Sequence, residues 1–243
     1  MRQNALTRRL LTPFKHTPFH PQWFVYKDEH TSLQEIGRQA HGLVLDIGAG
    51  AQVVQKSLSA DCRYISLDYY QTAVAWYHTR PHLYGDGQWL PIKSGSVDTV
   101  LLLDVLEHLP QPEVCVAEIG RVLRSGGKLV LQVPFLYPLH DAPYDFHRWT
   151  IHGLRALADR YGFAIESELI SGHPLETAAL LTNLALSKTV LNWFRQKNPL
   201  LIFALLLLWM VPLVNLRGWL LARASGTETF MPQSYRVVWT KVP

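Results

Sequence analysis

The chain has 243 residues, enough for one large α/β domain or for a domain with a substantial insertion. Charged residues make up only 17% and hydrophobic residues 48%, so a real core is assured and the apolar excess must find a location. The formal net charge of +4 is mild and is not gathered into a basic stripe, which sets nucleic acid aside as a partner.

Residues 1–35 are rich in proline, histidine and aromatics (TPFKHTPFHPQWFVY) without a clear period, and are expected to form an N-terminal arm or lid. Arg2, Arg8 and Arg9 are not followed by an uninterrupted apolar run, which argues against a cleaved signal peptide. Cys62 and Cys115 are the only cysteines and read as ordinary reduced thiols, so a cytoplasmic catalytic domain is expected.

From residue 43 to 170, short β-branched and leucine runs alternate with amphipathic stretches, the pattern of a parallel sheet with crossover helices. Strands are expected at 43–47, 63–67, 98–103, 128–133 and 163–170, with a weaker one near 82–85. Helices are expected at 51–58, 71–78, 112–124 and 150–161. Ser125, Gly126 and Gly127 are expected to stop the third helix, and Tyr161-Gly162-Phe163 to make the turn after the fourth.

Residues 171–233 differ in character. LLIFALLLLWMVPLVNL (200–216) is almost wholly apolar, and AALLTNLALSKTVLNWF (178–194) precedes it. The chain then closes with SYRVVWTK (234–241), which alternates like a strand.

The chemistry-bearing residues follow the strands. LVLDI runs into Gly48-Ala49-Gly50, and glycines at a strand-to-helix turn let backbone approach a ligand closely. A dinucleotide fingerprint would need Gly or Ala three residues after Gly50, where Val53 stands, and this weighs against a nucleotide-dependent oxidoreductase. Asp68 ends the second strand, where an acid can hold ribose hydroxyls. Asp86 lies in YGDGQWLPI after the weak third strand, and DTVLLLDVLEHLP (98–110) carries polar residues at its carboxyl edge.

Together these residues resemble the class I S-adenosylmethionine (SAM)-dependent methyltransferases, in particular the small-molecule, type 11-like branch with a VLEHL-type fourth strand. The resemblance covers roughly residues 40–170 plus the terminal strand. It implies a doubly wound, seven-stranded, mostly parallel Rossmann-like sheet with a late hydrophobic helical insertion. It also implies SAM as cofactor, with Asp46, Gly48 and Gly50 on the methionine side, Asp68 at the ribose, and Asp86, Gly87 and Gln88 at the adenine. Asp104 and Val105 would lie beside the methionyl group, with Glu107 and His108 just beyond. One departure is Gln52, where the family often has a third glycine. The implied division is an arm at 1–35, a SAM-binding core at 36–170, an insertion at 171–233 and a final core strand at 234–243.

Methyl transfer from a sulfonium is an in-line displacement, in which holding the nucleophile close and aligned does much of the work. A general base helps where the nucleophile must lose a proton. PFLYPLHDAPYDFHRWT (134–150) clusters His140, Asp141, Tyr144, Asp145, His147 and Arg148 on the expected substrate side. His140 is the first candidate for base or substrate contact and His108 the second. Asp145 and Arg148 are expected to pair and pin the loop, and Thr150 to cap the next helix. No metal-ligand cluster stands out, so metal-independent transfer is expected.

The insertion poses a topological question. As a helix, 199–216 would be about 27 Å long, close to the bilayer core. The family's seventh strand runs antiparallel and is inserted beside the sixth, so a single crossing would place the two strands on opposite sides of the membrane. A helical hairpin or surface docking is expected instead, with Pro212 and Asn215 kinking or shortening the helix. Lys188, Arg195, Lys197, Arg217 and Arg223 flank the apolar stretch and suit one anionic cytoplasmic face, making peripheral or monotopic membrane association the expectation. A homo-oligomer contact is the competing use of the insertion. A lipophilic small-molecule acceptor follows from the membrane reading, and a non-catalytic SAM-fold membrane adaptor is its rival.

Overall fold

The computed structural model describes residues 11–243, so the arginines at 2, 8 and 9 lie outside the described residues. The chain forms two compact units. One holds the chain up to Glu29 with Leu136–His140 and Ser171–Gln233; the other holds His30–Phe135, Asp141–Ile170 and Ser234–Pro243.

The second unit is built on a seven-stranded sheet. Its strands are β1 (Leu43–Ile47), β2 (Arg63–Asp68), β3 (Leu83–Tyr84), β4 (Val97–Leu103), β5 (Leu123–Pro134), β6 (Phe163–Ser171) and β7 (Ser234–Lys241). They lie in the order β3-β2-β1-β4-β5-β7-β6. β1 pairs in parallel with β2 and β4, and β4 with β5, while β7 runs antiparallel to β5 from Lys128↔Thr240 to Pro134↔Ser234. The order reverses between β1 and β4, leaving a crevice at the carboxyl ends of those strands.

Strand alternation divides the core between the two faces of the sheet. Leu45 and Ile47 of β1, with Val100 and Leu102 of β4, pack under Cys115, Val116 and Ile119 of a helix at Pro112–Val122 and Leu154 and Leu157 of one at Ile151–Arg160. Val44, Leu101, Val130 and Val238 point the other way, against Ile36 and Ala40 at the end of a helix spanning Glu29–Gln39. In chain order the α-helices are α1 (Trp23–Tyr26), α2 (Glu29–Gln39), α3 (Pro112–Val122), α4 (Ile151–Arg160), α5 (Pro174–Arg195) and α6 (Ala204–Ala224).

Three local expectations are corrected. The glycines at 126 and 127 do not cap α3: that helix ends at Val122, Leu123 is already extended, and Gly126 (φ +75°) sits inside β5 where the register with β4 shifts. Pairing of Leu123 with Val97 outcompetes a further helical turn. The helix expected at 71–78 is one π-helical stretch, Thr72–Tyr77, and that at 51–58 a 3₁₀ stretch, Val53–Ser57.

The first unit is centred on α5 and α6, joined by a 3₁₀ turn at Pro199–Phe203. Gly218 makes their close approach possible, since a Cβ there would lie 2.8 Å from that of Ala179. Trp23, Phe24, Ala179 and Leu180 form the unit's buried core. Pro212 and Asn215, which suggest a kinked or shortened helix, both lie inside α6, which is continuous from Ala204 to Ala224. Asn183 Nδ2 donates to Asn215 Oδ1 (2.8 Å), and Asn215 Nδ2 donates to the carbonyls of Pro18 (2.7 Å) and His20 (3.0 Å). This buried amide pair holds the helix in place across the proline.

Candidate active site

At the carboxyl ends of β1 to β4 lies a cavity of about 360 Å³, lined by residues of the sheet unit. Its position follows from the crossover topology, because the loops leaving parallel strands all emerge at this edge. Gly48, Asp68, Asp86, Gly87, Gln88, Asp104, Val105 and His108 line it together.

Gly48 continues β1 into the crevice with φ +69°, and a Cβ there would stand 2.4 Å from Val105 Cγ2. Only glycine fits, in conformation and in space. Asp68 ends β2 with its carboxylate held between backbone donors: Gly50 N–H reaches Oδ2 (2.8 Å) and Tyr69 N–H reaches Oδ1 (2.7 Å). Burial raises its pKa, and these two hydrogen bonds work against that rise. Asp86 accepts from the Gln88 amide (2.9 Å), fixing the turn after β3.

Asp104 follows β4 at φ +54°, a strained backbone for a non-glycine residue. Two bonds hold it there: its N–H donates to the carbonyl of Gln132 (2.9 Å), and Gln132 Nε2 donates to Asp104 Oδ2 (2.8 Å). Gln132 Oε1 in turn accepts from Arg236 Nε (3.1 Å) and Nη2 (3.0 Å), and Arg236 is buried. A relay thus runs from β7 through β5 to the cavity edge.

Glu107 is fully buried. Burial, and then the charge of Asp104, push its carboxyl well above the ordinary carboxylate range. Its backbone carbonyl accepts from the N–H groups of Phe146 (2.9 Å) and His147 (3.2 Å). His108 Nδ1 lies 2.7 Å from the Tyr144 carbonyl. A carbonyl only accepts, so Nδ1 carries the proton. Asp145 and Arg148 pair in two-fold fashion (2.5 and 2.8 Å), and Thr150 Oγ1 accepts from Gly153 N–H (3.1 Å), the loop pin and helix cap expected from the sequence.

Two of the predicted cofactor residues, Asp46 and Gly50, do not line the cavity. Asp46 lies on the α2 face of the sheet, 3% exposed, and accepts from the Tyr64 hydroxyl (2.6 Å). Its pKa is pushed up to about 7, first by burial and then by the charge of Asp68, against the Tyr64 hydrogen bond. Gly50 serves through its N–H on Asp68. His140 belongs to the other compact unit, where its ring meets Tyr137 edge-on at 5.3 Å.

The cavity also takes in residues that motif reading passed over: Tyr69, Gln71, Thr72, Trp76 and Tyr77 from the π-helical stretch and its lead-in. The aromatic run Tyr69-Tyr70 … Trp76-Tyr77 was the available signal, since large rings following a ligand-binding acid are costly to expose without a use.

Residues 45–131 match the family model of the methyltransferase domain. A Mycolicibacterium smegmatis protein named a probable S-adenosylmethionine-dependent methyltransferase is 34% identical over 138 residues, which cover 52% of this chain and 53% of the relative. The ubiquinone/menaquinone biosynthesis C-methyltransferase of Rhizobium etli is 28% identical over 149 residues, covering 56% of this chain and 50% of the relative. The chain thus spans about half the length of these two relatives. The solved structure of a [4+2]-cyclase superposes with a TM-score of 0.55 at 16% identity, covering 90% of this chain and 82% of that one, a likeness of fold alone. The sheet order and the glycine turn into a cavity edged by Asp68, Asp86 and Asp104 agree with the family match: over residues 45–131 the chain is similar to the methyltransferase domain.

Proposed function

We propose that the protein transfers a methyl group from SAM to a small lipophilic acceptor drawn from a membrane. The observation that carries the reading is the cavity itself, which gathers Gly48, Asp68, Asp86, Gly87, Gln88 and Asp104 at one sheet edge. The residues fit the cofactor chemically. Asp68 is a hydrogen-bonded acid placed for ribose hydroxyls, Asp86 and Gln88 offer polar groups for an adenine edge, and the Gly48 backbone permits close approach. When bound, SAM supplies an electrophilic methyl group on a sulfonium.

The chain's own residues then position and desolvate. Tyr69, Trp76, Tyr77 and Tyr144 wall the cavity with ring surface, which suits an apolar acceptor and excludes water. His108 lines the cavity with its Nδ1 proton committed to the Tyr144 carbonyl and its Nε2 3.8 Å from the buried Glu107 carboxyl, which sets an imidazole–carboxyl pair at the cavity wall. We therefore place His108 ahead of His140 as base. The lipophilic acceptor is supported by the long apolar helix α6 and by the quinone-pathway name of the Rhizobium etli relative.

Isothermal titration with S-adenosylhomocysteine tests the pocket, comparing wild type with Asp68→Ala. Wild type is expected to bind and the variant to lose at least about tenfold in affinity, the scale of a hydrogen-bonded charged contact. A folded wild-type protein that does not bind refutes the reading. Binding without methyl transfer to any fraction of a lipid extract supports a non-catalytic adaptor instead.

A further inference from the structure

We propose that α6 is an in-plane docking element for the surface of an anionic bilayer. Within its own compact unit, this helix buries Val211, Pro212, Asn215, Gly218 and Ala222. The opposite side carries Leu206, Trp209, Leu213, Leu216 and Leu220, exposed by 63, 67, 67, 41 and 58%. Their alternating spacings of three and four residues place them on one stripe along the whole helix. A helix covering a soluble core presents polar side chains at such positions. This one belongs to a segment, Pro199–Ala224, whose mean hydropathy reaches 2.3 with only 17% of its most apolar window buried.

Charge selects the partner. From Thr177 to Thr227 the chain has no Asp or Glu, while Lys188, Arg195, Lys197, Arg217 and Arg223 are all basic. Arg195 and Lys197 lie just before the 3₁₀ turn that leads into α6, and Arg217 and Arg223 in its C-terminal half, where the Arg223 guanidinium rests over the Trp219 ring at 4.0 Å. An apolar stripe accompanied only by cations fits anionic headgroups around an acyl boundary. A second copy on the same stripe would bring like charges to the seam, where paired helices carry opposite ones.

The in-plane orientation follows from geometry. β7 lies beside β6 in one sheet, so the segment between them cannot cross a bilayer once. Crossing twice would need two spans of about 30 Å. Between Pro199 and Val211, where burial begins, the 3₁₀ turn and the first two turns of α6 together offer about 20 Å. The other leg would carry Lys188 into the hydrocarbon, with Arg195 and Lys197 at the turn. Lying flat keeps every cation at headgroup level and immerses the stripe.

This surface stands independently of the methyl-transfer reading, because vesicle binding needs neither cofactor nor acceptor. The test is cosedimentation of the full chain with phosphatidylcholine vesicles, with and without phosphatidylglycerol. Wild type is compared with Leu206→Gln/Trp209→Gln/Leu213→Gln and with Arg195→Gln/Lys197→Gln/Arg217→Gln. Wild type is expected to bind the anionic vesicles, the first variant to bind at least about tenfold more weakly, and the second to lose roughly fivefold per cation removed. Both should keep wild-type affinity for S-adenosylhomocysteine, which shows that they fold. Equal binding by wild type and the first variant overturns the proposal. So does resistance of the membrane-bound protein to alkaline carbonate extraction, which would mean crossing, and so does a wild-type dimer that the first variant splits without any change in vesicle binding. Vesicle binding by a protein that does not bind S-adenosylhomocysteine would refute the methyltransferase reading and leave the docking surface intact.

Discussion

Asp46→Asn should change the pH dependence of stability more than stability itself. Asp46 is buried on the α2 face of the sheet beside the Tyr64 hydroxyl, and its pKa rises from 3.8 to about 7. An acid whose folded pKa is raised keeps a proton that the unfolded chain has already released. Its contribution is therefore most favourable below about pH 4 and is lost as pH rises through about 7. The full rise corresponds to about 4 kcal/mol, of which about 2.5 kcal/mol falls between pH 5 and pH 8. Asparagine keeps the acceptor for Tyr64 but cannot ionise. Its buried NH₂ group adds a pH-independent cost of about 1–3 kcal/mol, so the difference between pH values is the quantity to read. Urea titrations of both proteins at pH 5 and pH 8 measure it. The variant should gain on wild type by about 2.5 kcal/mol on going from pH 5 to pH 8. A constant gap at the two pH values would show that Asp46 does not hold a proton near neutrality, and would refute the assigned cause.

Four further substitutions follow, the first of them at the cavity wall. Gly48→Ala should cost at least about 2 kcal/mol and weaken S-adenosylhomocysteine binding about tenfold or more, because the new Cβ meets Val105; Gly126→Ala, at φ +75° with nothing within 4 Å, is the control and should cost only about 1 kcal/mol without affecting binding. Gln52→Gly should raise the melting temperature by about 1–3 °C, since Gln52 occupies φ +55° and gives up only an exposed bond to the Arg80 carbonyl; a lower melting temperature would mean that this bond outweighs the strain. Gln132→Leu should destabilise by about 1–3 kcal/mol and loosen S-adenosylhomocysteine binding through Asp104, with Arg236 left short of an acceptor, and calorimetry with denaturation reads both effects.

Much of the molecule is legible from its residues. β1 and β7 fall on LVLDI and SYRVVWTK as read, because short runs rich in leucine, β-branched and aromatic residues, bounded by glycine or proline turns, favour strands. The acids at 68, 86 and 104 were found from their places after strands, and the sheet edge brings all three to one cavity. Seven of the nine residues expected at the cofactor line it: Gly48, Asp68, Asp86, Gly87, Gln88, Asp104 and Val105. The departure at Gln52 also had a physical meaning, since the chain there adopts the left-handed backbone that a glycine would take without strain.

What the sequence determined, then, is local: periodicity fixed the strands, the short-range turn chemistry fixed the glycine bend and the Thr150 cap, and spacing fixed which acids follow which strand. The rest depended on competition between distant segments. Asp46 and Ile47 are neighbours in the chain, and only sheet pairing decides that Ile47 faces the cavity side while Asp46 turns toward α2. Gly126 and Gly127 carry a helix-stop signature that the pairing of Leu123 with Val97 overrides. Pro212 breaks an isolated helix, but Asn183 and the carbonyls of Pro18 and His20 hold α6 through Asn215. A helix apolar on every side gives no hint of which face it buries. Only when Val211, Asn215, Gly218 and Ala222 pack inward does the opposite stripe become a surface, because burial is a property of contacts and not of composition.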